Sequence, residues 1–436
     1  MDKSKNNKLV EEYDFIDRAA LYKELKNNQI SNEDAQKFVE SIFENYFLDN
    51  DNINFLQMNG YHFFSFLDDE LCFCLSAKPY GECCKLNLKT DIHKEYVAFE
   101  KSLVNDKEYQ KYLLNSQEIY QAVYKKVAKQ EVCNYVSCSE PTVANNLYNF
   151  DFAKQKFVTT KKDIPFDNKY KMGDIFFDLA VKKTFTFNGF CKKHDELTNI
   201  KLSKDSKDKD IINLHYRALV FKAFNYKVYL NALKEEYLKY FNSIKEEGFK
   251  SLFIFRLKKV SNQTSSVFNT LVEYQKNLKT NNEIEIVKIN LPVSEAIEVL
   301  DLVYPQICPN DFKLVNSVNN IFIQENIAIM NVANENKHSF TTFSYIKSNK
   351  ALNEFFKQYL KIIKDKAKSE AAFVSNCALI LTDNILFKQE YFDQLSQENK
   401  ALFSALNKFR FENPNMGQEY IKMKFFAGFN KGNNFF

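Results

Sequence analysis

Over residues 8 to 49, apolar side chains return every three or four positions. The stretch predicts two amphipathic helices, LVEEYDFIDRAALYKELKNN and NEDAQKFVESIFENYFL. Ser31, Asn32, Glu33 and Asp34 supply capping groups for the second. Residues 53 to 71 are aromatic-rich and broken at Gly60, which predicts a short strand pair. Helical spacing resumes from about 93 to 130, and beyond the charged linker at 201 to 210 a long helix is expected to about 247. Its stripe Tyr226, Tyr229, Leu230, Leu233, Tyr237, Tyr240 and Phe241 reads as a core face, not as a platform for bases.

After residue 250 the pattern shortens. The runs SLFIFRLKK, EIEIVKINL, NIFIQENIAIMNV and HSFTTFSYI predict strands of an antiparallel or mixed sheet, with a helical turn near 294 to 302. From 350 onward helical spacing returns. The fold class is α+β: a helical N-terminal region, two small cysteine-bearing lobes, a sheet in the second half and a helical C-terminus. The expected divisions are 1–130, 131–200 and 201–436.

Composition narrows the classes. At 436 residues with 45% hydrophobic and 27% charged residues, the chain carries enough apolar material for a sizeable core. Its basic residues are nearly all Lys; Arg occurs only at 18, 217, 256 and 410. With the many Asn and Ile this reads as the coding bias of an AT-rich, bacterial genome. A net charge of +4 is a weak signal for nucleic acid, and scarce Arg removes the best bidentate phosphate and guanine ligand. The lysine pairs at 161–162, 182–183 and 192–193 read as solvated surface. The charged start MDKSKNNKLVEEYDFI lacks the apolar core of a signal peptide, and no run suits a membrane span. A cytoplasmic location is expected, and clustered cysteines there bind metal in preference to forming disulfides.

The chemistry lies in those cysteines. Residues 72 to 84, CFCLSAKPYGECC, hold Cys72, Cys74, Cys83 and Cys84 around a turn at Pro79-Tyr80-Gly81. Four thiolates gathered by a tight turn suit the tetrahedral shell of zinc. Cys133 and Cys138, followed some fifty residues later by Cys191 and His194, offer a second set of four ligands. Such a split shell pins a hairpin to a helix start in treble-clef-like modules, with Asp195 or a carbonyl available to orient His194. Two zinc ions are therefore expected, leaving Cys308 and Cys377 as packing residues. With eight glycines in the chain, no Walker loop, dinucleotide fingerprint, nucleophile elbow or H-E-x-x-H motif is found, and no catalytic residue is assigned.

The first cluster resembles the SEC-C motif, C-x-C-G-S-G-x-x-Y-x-x-C-C/H, known from the tail of the bacterial preprotein translocase ATPase. Ser76, Lys78, Pro79 and Tyr80 match it, while Leu75 and Ala77 replace its glycines, which suggests a tighter loop. The runs CNYVSCSEPTVANNLYNF, TFTFNGFCKKHDELTNI, LHYRALVFKAFNYKVY and FVSNCALILTDNILF resemble an uncharacterised family of bacterial SEC-C proteins over most of residues 70 to 400. The resemblance implies a non-enzymatic, zinc-stabilised protein whose first knuckle docks a macromolecular partner, a protein or a nucleic acid. The alternative is an HNH-like metal-dependent nuclease or a degenerate relative, in defence against foreign DNA. The family pattern has Ser-His where this chain has Glu140-Pro141, so the base such nucleases use is missing. Glu140 and His215 are the candidate substitutes. The oligomeric state is not specified.

Overall fold

In a computed structural model, the structure describes residues 65–92, 106–150, 156–160, 176–178, 185–244, 247–279, 282–291, 297–305, 324–335, 338–365, 369–395 and 400, with isolated positions between 308 and 316. The two helices expected over 8 to 49, most of the strand pair at 53 to 71 and the chain after 400 lie outside these residues. The helix expected from about 93 is described over Asp106–Gln130, here α1.

Burial on all sides over residues 211–224 makes α3, Asp208–Tyr240, the axis of the fold. Ile211, Leu214, Tyr216, Ala218 and Phe221 are buried there, and Val228 and Leu233 farther on, while Asp208, Lys209, Glu235 and Lys239 toward the two ends reach water. It packs against α1, against α4 (Glu247–Asn277) and against the sheet. The aromatic stripe is core, as its spacing predicts: Leu230, Leu233, Tyr237 and Tyr240 are buried, and Tyr226, Tyr229 and Phe241 are half-buried.

The main sheet has seven strands in the order β3-β2-β9-β6-β7-β8-β5, all antiparallel. Consecutive strands β5 (Ile284–Leu291), β6 (Ile297–Val303), β7 (Ala328–Glu335) and β8 (His338–Ile346) form its larger part. β2 (Phe157–Thr160), β3 (Phe176–Asp178) and β9 (Ile385–Lys388) extend it at one side. Successive side chains point to opposite faces. Leu300, Leu302, Ile329, Phe340 and Leu386 meet α3, while Val299, Met330, Phe343, Tyr345 and Phe387 meet α5 (Lys350–Asp365) and α6 (Ser369–Ile380). Helices thus cover both faces, and β6 is buried at every position.

Two expectations need correction. SLFIFRLKK lies inside α4 and is no strand. The helical turn near 294 to 302 is strand β6, because a strand enclosed on both faces loses the polar alternation that marks strands in sequence. Strands β2 and β3, which lie within residues 131–200, belong to the main sheet. The α+β class holds. Among the described residues no helix is long and apolar enough to cross a membrane.

Candidate metal centres

Hydrogen bonds close the first knuckle at its base. Leu71 and Pro79 form an isolated antiparallel bridge, and the Cys72 N–H donates to the Lys78 carbonyl at 2.9 Å. Tyr80 N–H donates to Glu70 O at 2.8 Å, and Gly81 N–H to Asp68 O at 2.9 Å. A Cβ on Gly81 would lie 3.0 Å from the Asp68 carbonyl oxygen, so only glycine fits without displacing backbone. The loop thereby returns Cys72 and Cys74 to Cys83 and Cys84, which sit between short 3₁₀ turns at Tyr80–Glu82 and Lys85–Asn87. All four sulfurs lie within 4.8 Å of one another, with Cys74 and Cys83 at 3.6 Å. A tetrahedron of thiolates with metal–sulfur bonds of about 2.3 Å has edges of about 3.8 Å. The spacing fits a four-coordinate ion.

The knuckle is seated on the helices. Cys72, Phe73, Tyr80 and Cys84 are buried against Leu230, Leu233 and Tyr237 of α3 and Phe253 and Leu257 of α4. The hydroxyls of Tyr80 and Tyr237 are 2.6 Å apart, and Lys258 donates to Glu70 at 2.9 Å. Leu75 and Ala77 have φ of 58° and 60°. They hold the left-handed backbone that glycine usually supplies.

The second centre joins three elements. Cys133 and Cys138 lie on a knuckle directly after α1, and Cys138 N–H donates to Tyr135 O at 3.1 Å. β1 (Ala144–Asn146) pairs antiparallel with β4 (Thr186–Asn188). Cys191 caps α2 (Lys192–Thr198), placing His194 in its first turn. His194 Nδ1 lies 3.4 Å from Cys133 Sγ and 3.3 Å from Cys191 Sγ, and Cys138 and Cys191 sulfurs are 3.9 Å apart. The four ligand atoms again fall within 4.8 Å. Knuckle, strand pair and helix start thus meet around the four ligand atoms.

Without a cation the sulfurs of the first centre do not ionise alike: hydrogen bonds from Cys72 and Cys84 lower the Cys74 thiol, at the expense of its two buried neighbours. The hydrogen bond with Cys74 pushes the Cys72 thiol up to about 11, and bonds to Cys72 and Cys74 drive Cys84 higher still. A divalent ion removes that difference by ionising every coordinating thiol. Burial, then the charge of Lys193, lowers the pKa of His194 and favours the neutral ring that ligates metal.

Other singled-out residues fall elsewhere. Asp195 does not orient His194; it pairs with Arg217 at 2.7 Å, because that fully buried guanidinium requires a counter-charge. His215 lies against the sheet, its Nδ1 2.6 Å from Ser344 Oγ and its Nε2 3.0 Å from Thr342 Oγ1. Burial lowers its pKa to about 3, so it is a neutral core histidine. The Glu140 side chain is exposed, while its carbonyl accepts the Cys133 N–H at 2.9 Å. Cys308 and Cys377 are buried in the core between sheet and α5–α6.

Two supporting residues escaped the sequence reading. Tyr135 stacks on His194 with ring centroids 4.2 Å apart, and Arg217 bonds Asn146 O and Thr198 Oγ1 at 3.0 and 3.1 Å. Tyr135 sits inside the C-x4-C knuckle, and Arg217 is one of four arginines in a lysine-rich chain; both were visible signals. No protein-family model, no curated protein and no solved structure matches this chain.

Proposed function

We propose that this is a zinc-stabilised protein with two structural centres, and that the first knuckle presents a docking surface to a macromolecular partner. The carrying observation is that each centre gathers four N/S ligand atoms within 4.8 Å, the complement of a closed structural shell. Catalytic sites of this kind keep a position open for water or substrate. The resemblance to SEC-C proteins supports docking, and so does the surface. Leu71 and Leu86 are each 75% exposed and Ile92 is 62% exposed, apolar side chains in and beside the knuckle that a docked partner would cover. The two substitutes for a nuclease base give that alternative no support: His215 is sealed in the core and Glu140 stands on an exposed turn.

Elemental analysis of the purified chain tests this reading. About two zinc per chain are expected from two four-ligand sites, and a value near zero overturns it. A plasmid and RNA nicking assay with added divalent metal should show no cleavage. Cleavage abolished by Glu140→Ala would transfer the protein to the nuclease class.

A further inference from the structure

The four sulfurs of the first centre differ in accessibility. Cys72 and Cys84 are 2% and 1% exposed and face the helices, whereas Cys74 and Cys83 are half-buried on the solvent side. Those outward sulfurs are 3.6 Å apart, and a disulfide needs them at about 2.05 Å. The second centre is built otherwise. Its half-buried ligands are Cys138 and His194; the histidine cannot form a disulfide and is covered by Tyr135. The sulfur beside Cys138 belongs to the buried Cys191, at 3.9 Å.

We propose that Cys74 and Cys83 form an oxidant-sensitive modification site, in which a hydroperoxide converts the thiolate pair to a disulfide and unfastens the first knuckle. The inference rests on the zinc reading above. The Cys74 thiolate attacks the terminal peroxide oxygen; the O–O bond breaks, leaving a sulfenic acid and an alkoxide (hydroxide for hydrogen peroxide) that takes a proton. The Cys83 thiolate then attacks the Cys74 sulfur, the S–S bond forms, and a second hydroxide leaves as water. The two sulfurs lose two electrons, which reduce one hydroperoxide to water and an alcohol, or to two waters for hydrogen peroxide. Only Cys72 and Cys84 then remain as ligands, too few for a stable tetrahedral shell.

The consequence is structural, since residues 65–92 contain no regular element longer than a 3₁₀ turn. Their order depends on the cross-link and on the seat formed by Tyr237, Phe253 and Lys258. Metal loss would free the knuckle from α3 and α4 while the second centre stays closed. Ser76 modulates the step. Its hydroxyl is 3.2 Å from Cys83 Sγ and, donating to the thiolate, lowers its nucleophilicity.

The test uses the full chain, loaded and assayed for metal first. Hydrogen peroxide is added with a chromophoric zinc chelator, and disulfides are mapped by non-reducing peptide analysis. About one of two zinc equivalents should be released, with a Cys74–Cys83 disulfide, reversed by dithiothreitol and added zinc. Ser76→Ala should release metal faster. Retention of both ions, release from the second centre first, a different disulfide, or slower release in Ser76→Ala overturns the inference and leaves the zinc reading intact. A chain that carries no zinc before oxidant is added overturns both.

Discussion

Glu325 is a carboxyl group without the partners a carboxylate needs. It is 8% exposed, and its Oε2 is buried with no hydrogen-bond partner. Burial, with the charge of Asp383 adding to it, raises its pKa to about 7 against the opposing pull of Lys259 and Gln263. The native state therefore holds a proton that the unfolded chain, with an ordinary pKa of 4.5, has released. Stability falls as pH rises from about 4.5 to about 7, and the loss is complete above that, on the order of 3 kcal/mol. His215 tilts the curve the other way below its ordinary 6.5, so the comparison must be with a variant. Glu325→Gln should flatten this fall, measured as denaturant midpoints at pH 5 and pH 8. Equal pH dependence in both proteins would show that the carboxyl is ionised in the core. No sequence pattern announces Glu325, because its chemistry comes from what surrounds it. The eight candidate ligands were legible for the opposite reason: soft donors gathered in short knuckles suggest a shell before any packing is known. Leu75 and Ala77 mark the boundary of such reading. Side chains with a Cβ at these positions give no sign in sequence of a left-handed backbone, yet both adopt it, at a cost of about 1–2 kcal/mol per residue.

At the scale of elements, the misreading of α4 is instructive. SLFIFRLKK taken alone is an apolar run of strand length, and short runs do not distinguish strand from helix. The longer pattern Phe253, Leu257, Val260, Thr264, Val267, Leu271, Tyr274 alternates steps of four and three over three heptads, and every member is buried. Window length decided the error. Strand β9 was hidden differently: only four residues long, it follows α6 closely and takes its place from β2 and β6 on either side. Arg217 shows how elements far apart in sequence are tied. From the middle of the first half of α3 it reaches the end of β1, the ion pair with Asp195 on α2 and the ring of Phe187 on β4, 5.4 Å away. Arg217→Met would keep much of the apolar stem but leave Asp195 without its buried counter-charge and Asn146 O without its donor. The expected loss is about 3–5 kcal/mol, read from chemical denaturation. A loss below 1 kcal/mol would mean that water replaces the guanidinium and that the tie between α2, α3 and the strand pair is dispensable.

For the whole molecule, the question is how far each centre's influence extends. The sheet and its two helical layers have large cores of their own, one around α3 and another between the sheet and α5–α6. The first knuckle belongs to a third, smaller cluster at the far end of α3 and α4. The second centre is deeper: Cys133 and Cys191 share the α3 core with Leu147, Tyr148, Phe187, Phe190 and Tyr216. Tyr148, two residues beyond β1, accepts the Leu300 N–H at 3.2 Å, at the point where β6 runs past its pairing with β9. Loss of the second centre should therefore propagate into the middle of the sheet at β6, while loss of the first should stop at the helices. Chelation followed by hydrogen exchange separates the two. Residues 65–92 should lose protection at low chelator with β5–β8 unchanged. Stronger chelation should then expose residues 131–146 and 186–198, together with β6 and β9, before β5 and β8, which lie farther along the sheet. Simultaneous loss across all seven strands at the first chelator step would show that the knuckle at 72–84 holds the entire fold, and the separation of the three clusters would have no energetic meaning.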